Sequence, residues 1–210
     1  MKLFKHLSLL LFLLILSACQ NESTTQKRLP STATVLALGD SLTKGYGASP
    51  EQSYPSLLGK KTQWHVINAG INGNTSAQAL ERLPALLDQH HPDFVLISIG
   101  GNDFLQRLDE QKTKANIQAI VDTLKAQNTP MLLIGIPSYS LQAALGHPKD
   151  HPMYQQIAND NNLPLLSNAW GDVLKKDSLK SDQVHPNAQG YQEFTQTLLK
   201  ALRQQGFLKS

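Results

Sequence analysis

Ser41 stands in Gly39-Asp40-Ser41-Leu42, directly after the apolar run Val35–Leu38. Far along the chain, Asp182-Gln183-Val184-His185-Pro186 puts a carboxylate three residues before an imidazole. A serine at a strand tip plus an Asp-x-x-His pair is the material of nucleophilic acyl transfer. The hydroxyl is weak until a base takes its proton. The carboxylate holds the ring in the useful tautomer and stabilises the imidazolium that forms. Pro186 biases His185 toward an extended backbone, which lets the ring leave the following helix. Between these two islands lie Gly73, in Asn72-Gly73-Asn74, and Asn102, in Gly100-Gly101-Asn102-Asp103. Both are loop positions able to point hydrogen-bond donors at one oxygen. Attack on an ester creates an oxyanion, and preorganised donors stabilise it. The candidates are the backbone N–H of Ser41, the backbone N–H of Gly73 and the side-chain amide of Asn102. Each island alone has an ordinary reading: loop serine, Asn-Gly turn, Gly-rich turn, surface histidine. Four islands in the order Ser, Gly, Asn, Asp/His are a far stronger signal.

The other chemistry-bearing residues point elsewhere. Asp40 and Asp103 are expected to brace loops, and Lys44 to be solvated. His90-His91 ends a helix and answers its dipole. His147 and His151 sit in a Pro-containing loop, where a zinc site lacks an acidic or cysteine partner set with ligand spacing, so no metal is assigned. No Gly-x-Gly-x-x-Gly run and no P-loop occur, so no cofactor is implied. The serine context is not Gly-x-Ser-x-Gly, which sets it apart from the usual α/β-hydrolase elbow. The formal charge is +3, and without Lys2 and Lys5 the count is 17 Lys+Arg against 16 Asp+Glu. Near-neutrality argues against a nucleic-acid partner.

The elements that must carry these residues alternate. Val35–Leu38, Trp64–Asn68, Phe94–Ile99 and Met131–Ile136 are short apolar runs of the kind found in strands covered on both faces. Leu163–Leu166 is a weaker fifth. Between them, Pro50 suits the first position of a helix. Asn74 or Thr75 can cap a helix running to about Gln89, with Ala79, Leu83, Leu86 and Leu87 on one face. Ile117, Ile120, Val121 and Leu124 repeat at helical spacing between Lys112 and Gln127. Pro186 can open a last helix toward Leu202. This alternation predicts a parallel sheet with helices on both faces. Ligands then bind beyond the carboxyl ends of the strands. Ser41 follows the first strand, Gly73 the second and Asn102 the third.

The N-terminus reads as an export signal. Lys2 and Lys5 flank a Leu-rich core, Leu7–Leu16, that is too short to span a bilayer comfortably. Leu16-Ser17-Ala18-Cys19 resembles the lipobox of bacterial lipoproteins, in which the cysteine is acylated and the leader is cut before it. Cys19 is the only cysteine, so lipidation there leaves no free thiol. The expected organisation is a lipoprotein signal peptide over 1–18, a flexible polar tether over 19–31 and one catalytic domain over 32–210. Gln20 after the cysteine favours the outer membrane, by resemblance to the sorting rule of enteric-type bacteria.

The four islands together resemble the SGNH (GDSL-type) hydrolase family, most closely its small bacterial thioesterase, arylesterase and lysophospholipase members. The resemblance is carried by Gly39–Gly47, Asn68–Thr75, Arg82–Leu87 and Ile99–Asp103. It implies a three-layer α/β/α sandwich around a mainly five-stranded parallel sheet, flavodoxin-like. It implies a serine esterase with Ser41, Asp182 and His185 as triad and Ser41, Gly73 and Asn102 as oxyanion hole. The substrates expected are small-molecule or lipid esters and thioesters, including lysophospholipids. The alternatives are a carbohydrate or cell-wall O-acetylesterase and a non-catalytic envelope lipoprotein. A monomer, held to the periplasmic side of a membrane by the lipid on Cys19, is expected.

Overall fold

The computed structural model describes residues 28–138, 146 and 148–209. The leader, Cys19, residues 20–27 of the tether and His147 lie outside the described residues. Leu29 donates its N–H to the Phe207 carbonyl at 3.0 Å and packs against the core, so contact with the domain begins before residue 32.

The chain alternates as its apolar runs require. Strand β1 (Thr34–Gly39) leads into a single-turn helix α1 (Ser41–Lys44). Helix α2 (Tyr54–Thr62) is followed by β2 (His65–Gly70), α3 (Ser76–His90), β3 (Phe94–Ser98), α4 (Gly101–Leu105), α5 (Glu110–Ala126) and β4 (Met131–Ile134). Then come α6 (Pro152–Asn161), β5 (Leu165–Leu166), α7 (Ala169–Leu174) and α8 (Ala188–Gln204). The five strands form one parallel sheet in the order β2-β1-β3-β4-β5. In its register Val35 lies between Val66 and Phe94. Every residue of β3 and β4 is buried, so both faces of the sheet centre are covered. Helix α5 packs against α3 and α6, and α8 packs against α2 and α7. The result is the expected three-layer α/β/α fold.

An aromatic cluster fills the α2–α7–α8 side. Trp170 stacks on Phe194 with ring centroids 3.5 Å apart, and Tyr54 lies 5.1 Å from Phe194. The Trp170 indole donates to Ser98 Oγ at 3.1 Å, which satisfies two polar groups that burial would otherwise penalise. Thr75 caps α3 in a capping box with Gln78, and Asp109 caps α5 through the Lys112 N–H.

Several boundaries differ from the sequence reading. Pro50 opens only a 3₁₀ turn, Pro50–Gln52, and α2 starts at Tyr54 after an extended Ser53. A continuous helix from residue 50 would put Pro55 in its interior, where its ring meets the carbonyl of Glu51 and no N–H is available. Breaking at Ser53 moves Pro55 into a first turn, where Pro is tolerated. Pro186 does not open the last helix either. It forms an isolated antiparallel bridge with Lys180, and Asn187 caps α8 by accepting from the Gly190 N–H at 3.0 Å. β2 is a sheet edge and only partly buried, so its apolar run does not mean cover on both faces. α1, α4, α6 and α7 have no counterpart in the sequence reading.

Sheet order places the site. The chain leaves β1 to form β2 on one side and β3 on the other, so a crevice opens at the carboxyl ends of β1 and β3. Gly73, in the loop after β2, and Ser41 and Asn102, which lie in the first turns of α1 and α4 rather than in loops, all emerge at that edge.

Candidate active site

Gly39 ends β1, and Asp40 caps α1 by accepting the Leu42 N–H at 3.0 Å. Ser41 is therefore the first residue of a helical turn set on a strand tip. Its Oγ lies 2.9 Å from Nε2 of His185, 144 residues further along. On the other side of the ring, Nδ1 lies 2.8 Å from Asp182 Oδ2 and 3.0 Å from Oδ1. A carboxylate only accepts, so Nδ1 carries the proton and Nε2 presents its lone pair to the serine hydroxyl.

The loop holding Asp182 and His185 is closed on itself. Ser181 N–H donates to the His185 carbonyl at 2.9 Å, and Asp182 Oδ1 accepts from the N–H groups of Val184 and His185, each at 2.9 Å. Asn187 ties the loop down further by donating to the carbonyls of Ser178 and Lys180. The Asp182 side chain is 44% exposed. Desolvation works against its charge, but the Val184 N–H and the His185 ring outweigh it and hold the carboxyl below its ordinary value. Tyr46 covers the imidazole, with ring centroids 4.5 Å apart. Tyr191 donates to the Tyr46 carbonyl at 2.8 Å and anchors that turn.

Asn102 lies in the first turn of α4 and donates through Nδ2 to the Asn74 carbonyl at 2.9 Å. That leaves its second N–H for another acceptor. Gly73 takes a left-handed φ of +80° with open space around the position of a Cβ. The demand for glycine there is conformational rather than steric. Among the described residues, the backbone N–H groups of Ser41 and Gly73 donate to no acceptor. Ser41, Asn102 and His185 line an open cavity of about 1000 Å³, with Leu42, Leu105, Ile136, Leu174 and Val184 supplying apolar wall. Gly73 sits in the neighbouring loop outside that lining.

The two aspartates beside the motifs have bracing positions. Asp103 is buried and accepts from the Ser76 N–H at 2.8 Å and the Ser76 hydroxyl at 2.5 Å, with Thr113 Oγ1 at 3.3 Å. It thus joins the loop after β3 to the starts of α3 and α5. Burial pushes the Asp40 carboxyl up to about 7; the Leu42 N–H opposes this and the nearby Asp103 adds to it. Lys44 is exposed at the end of α1. His151 caps α6 through the Met153 N–H and stacks on Phe104 with centroids 4.9 Å apart. Its other nitrogen lies 3.5 Å from Glu110.

The sequence reading does not select Arg82, Asn74 or Tyr46 as site residues. Arg82 Nε donates to Asn74 Oδ1 at 2.9 Å, and Nη2 donates to the Gly39 carbonyl at 2.8 Å. A signal for Arg82 exists: it is a cation three residues after Ala79 and next to Leu83, at the border of the apolar face of α3. Nothing in the local pattern marks Tyr46.

A serine hydroxyl on an imidazole, at the switch point of a parallel sheet and beside unpaired donors, is the constellation of an acyl-transfer hydrolase. A model of the GDSL-like Lipase/Acylhydrolase family matches residues 37–193, and the chain belongs to that family. Thioesterase 1/protease 1/lysophospholipase L1 of Escherichia coli K12 is 38% identical over 163 residues, covering 76% of this chain and 78% of its own length. The arylesterase of Vibrio mimicus is 31% identical over 193 residues, 88% of this chain and 90% of that one. Among solved structures, the psychrotrophic esterase EstA from Pseudoalteromonas sp. is similar with a TM-score of 0.71 and 31% identity, covering 82% of this chain and 97% of EstA. The chain is a hydrolase acting on ester bonds.

Proposed function

We propose that this protein is a cofactor-free serine esterase that cleaves carboxylic esters or thioesters of short to medium acyl chains, or lysophospholipids, through Ser41, His185 and Asp182. The observation that carries the reading is the continuous contact Ser41 Oγ–His185 Nε2–His185 Nδ1–Asp182 at 2.9 and 2.8 Å on the wall of the cavity. His185 takes the Ser41 proton as Oγ attacks the acyl carbon, and Asp182 stabilises the imidazolium. The backbone N–H groups of Ser41 and Gly73 and the free N–H of Asn102 receive the oxyanion. His185 then returns the proton to the leaving group. A His185-activated water releases the acyl group in the second half. The apolar walls of the cavity suit an acyl chain, and relatives named thioesterase, lysophospholipase and arylesterase support this substrate class.

The test is hydrolysis of a panel of esters and thioesters by wild type beside Ser41→Ala. The variant should lose several orders of magnitude in kcat while remaining folded. Near-normal turnover by folded Ser41→Ala refutes the assignment.

The proposal extends to location. Leu16-Ser17-Ala18-Cys19 supports lipidation of Cys19, and Gln20 after it supports an enzyme held on the periplasmic side of the outer membrane. Two or three acyl chains hold a protein on a membrane where one is marginal. Cys19→Ser should move the domain to the soluble fraction or leave an uncleaved precursor. Mass spectrometry showing an unmodified N-terminus at another residue overturns this part.

A further inference from the structure

We propose that Arg82 is a positioning residue of the oxyanion hole, its guanidinium tying the end of β1 to the Gly73–Asn74 loop so that the three donors keep one geometry. The proposal rests on the oxyanion-hole reading above.

Among the described residues Arg82 makes two hydrogen bonds, to two different segments of the site. Nε–H donates to Asn74 Oδ1 at 2.9 Å, and Nη2 donates to the Gly39 carbonyl at 2.8 Å. Gly39 is the last residue of β1, two before Ser41. Asn74 immediately follows Gly73. The Asn74 carbonyl in turn accepts from the Asn102 amide at 2.9 Å. One residue, Asn74, therefore has its side chain held by Arg82 and its main chain holding Asn102. The Gly39 carbonyl also accepts from the Ile71 N–H at 3.2 Å, so the β1 tip and the loop after β2 meet at the atom Arg82 clamps.

The helix that presents Arg82 is itself fixed to the site. Ser76, the first residue of α3, donates twice to Asp103, which follows Asn102. Burial works against the charge on Arg82, and nearby Asp40 favours it. Among the described residues no carboxylate lies within ion-pairing distance of Arg82. The guanidinium thus gives two of its donors to neutral acceptors at fixed angles, a use for which its planar fork is suited and a lysine ammonium is not. Preorganisation matters here because donors serve the transition state only when already aimed at it. A shift of about 1 Å at such a site can cost about 10²-fold in rate.

The experiment compares Arg82→Met, Asn74→Ala, Asn74→Asp, the double variant Arg82→Met/Asn74→Ala and Asn102→Ala with wild type. The readouts are kcat and KM on a p-nitrophenyl ester. Alongside them runs the rate of phosphonylation by a p-nitrophenyl alkylphosphonate, in which Ser41 Oγ bonds phosphorus, nitrophenolate leaves and His185 takes the serine proton. Circular dichroism reports folding. Arg82→Met should lower kcat by about 10²-fold with KM changed less than about threefold, since the loss lies in the transition state. Phosphonylation should slow by a similar factor. Asn74→Ala should reproduce that loss, and the double variant should lose no more than either single one, because either substitution breaks the same tie between the end of β1 and the Gly73–Asn74 loop. Asn74→Asp keeps an Oδ acceptor and should recover most of the rate. If Arg82→Met does not fold, Asn74→Ala and Asn74→Asp decide alone.

A folded Arg82→Met with kcat within about threefold of wild type overturns the proposal, as does a loss expressed in KM. So does a double variant whose loss is the product of the two single losses. If Asn102→Ala keeps its kcat, the oxyanion-hole reading fails. If Asn102→Ala loses it and Arg82→Met does not, the role of Arg82 alone fails.

Discussion

Replacing Asp40 by Asn should change how stability depends on pH, and the change can be sized from the structure. Asp40 is 1% exposed, and burial raises its carboxyl from 3.8 to about 7. The folded state therefore prefers the protonated acid. The stability this supplies is fully present below the unfolded value near 3.8 and is lost as pH rises through about 7. A gap of roughly three pKa units corresponds to about 4 kcal/mol, at about 1.4 kcal/mol per unit. Asn keeps an oxygen for the Leu42 N–H and does not titrate. The stability difference, variant minus wild type, should therefore rise by about 3 kcal/mol between about pH 4.5 and pH 8 and level off above. Asp150, which burial pushes up to about 6, titrates in the same window but in both proteins. The difference curve removes its contribution, whereas the wild-type curve alone does not. Urea unfolding of both proteins across that range gives the curve. A difference flat to within about 0.5 kcal/mol would show that Asp40 is ionised in the folded state at all these pH values. The reasoning from burial would then be wrong.

Two other substitutions read out the packing behind the site. Gly47 has a φ of +89°, and a Cβ there would overlap the Ser181 side chain at the base of the Asp182–His185 loop. Gly47→Ala should cost about 1–2 kcal/mol in backbone strain, and it should lower kcat measured well below the unfolding temperature because it displaces His185. Unchanged kcat would mean the loop is held independently of that turn. Trp170→Ala empties the stack on Phe194 and leaves Ser98 Oγ without its donor. It should cost about 3–5 kcal/mol in chemical denaturation, and a loss below about 1 kcal/mol would mean that the α2–α7–α8 layer closes over the gap.

What the sequence determines by itself is local. Short apolar runs at Val35, Phe94 and Met131 become strands because a parallel sheet covered on both faces takes apolar side chains at successive positions. Thr75 with Gln78, and Ile117 through Leu124, specify helix starts and faces through contacts three and four residues apart. The four chemical islands are legible because each sits in a short motif, and the order of strand and loop assigns the first three, those of Ser41, Gly73 and Asn102, to one sheet edge. The break at Ser53 was within reach of the same reasoning, since Pro55 forbids a continuous helix. The tertiary structure alone brings Ser41 Oγ within 2.9 Å of an imidazole 144 residues away. It alone sends two donors of Arg82 to Asn74 and Gly39, the latter 43 residues back along the chain. It alone sets the Tyr46 ring beside His185 and makes β2 an exposed edge. Periodicity and capping act over a turn or two of chain. Contacts between loops follow from strand order and from which helices share a face, and no local pattern records either.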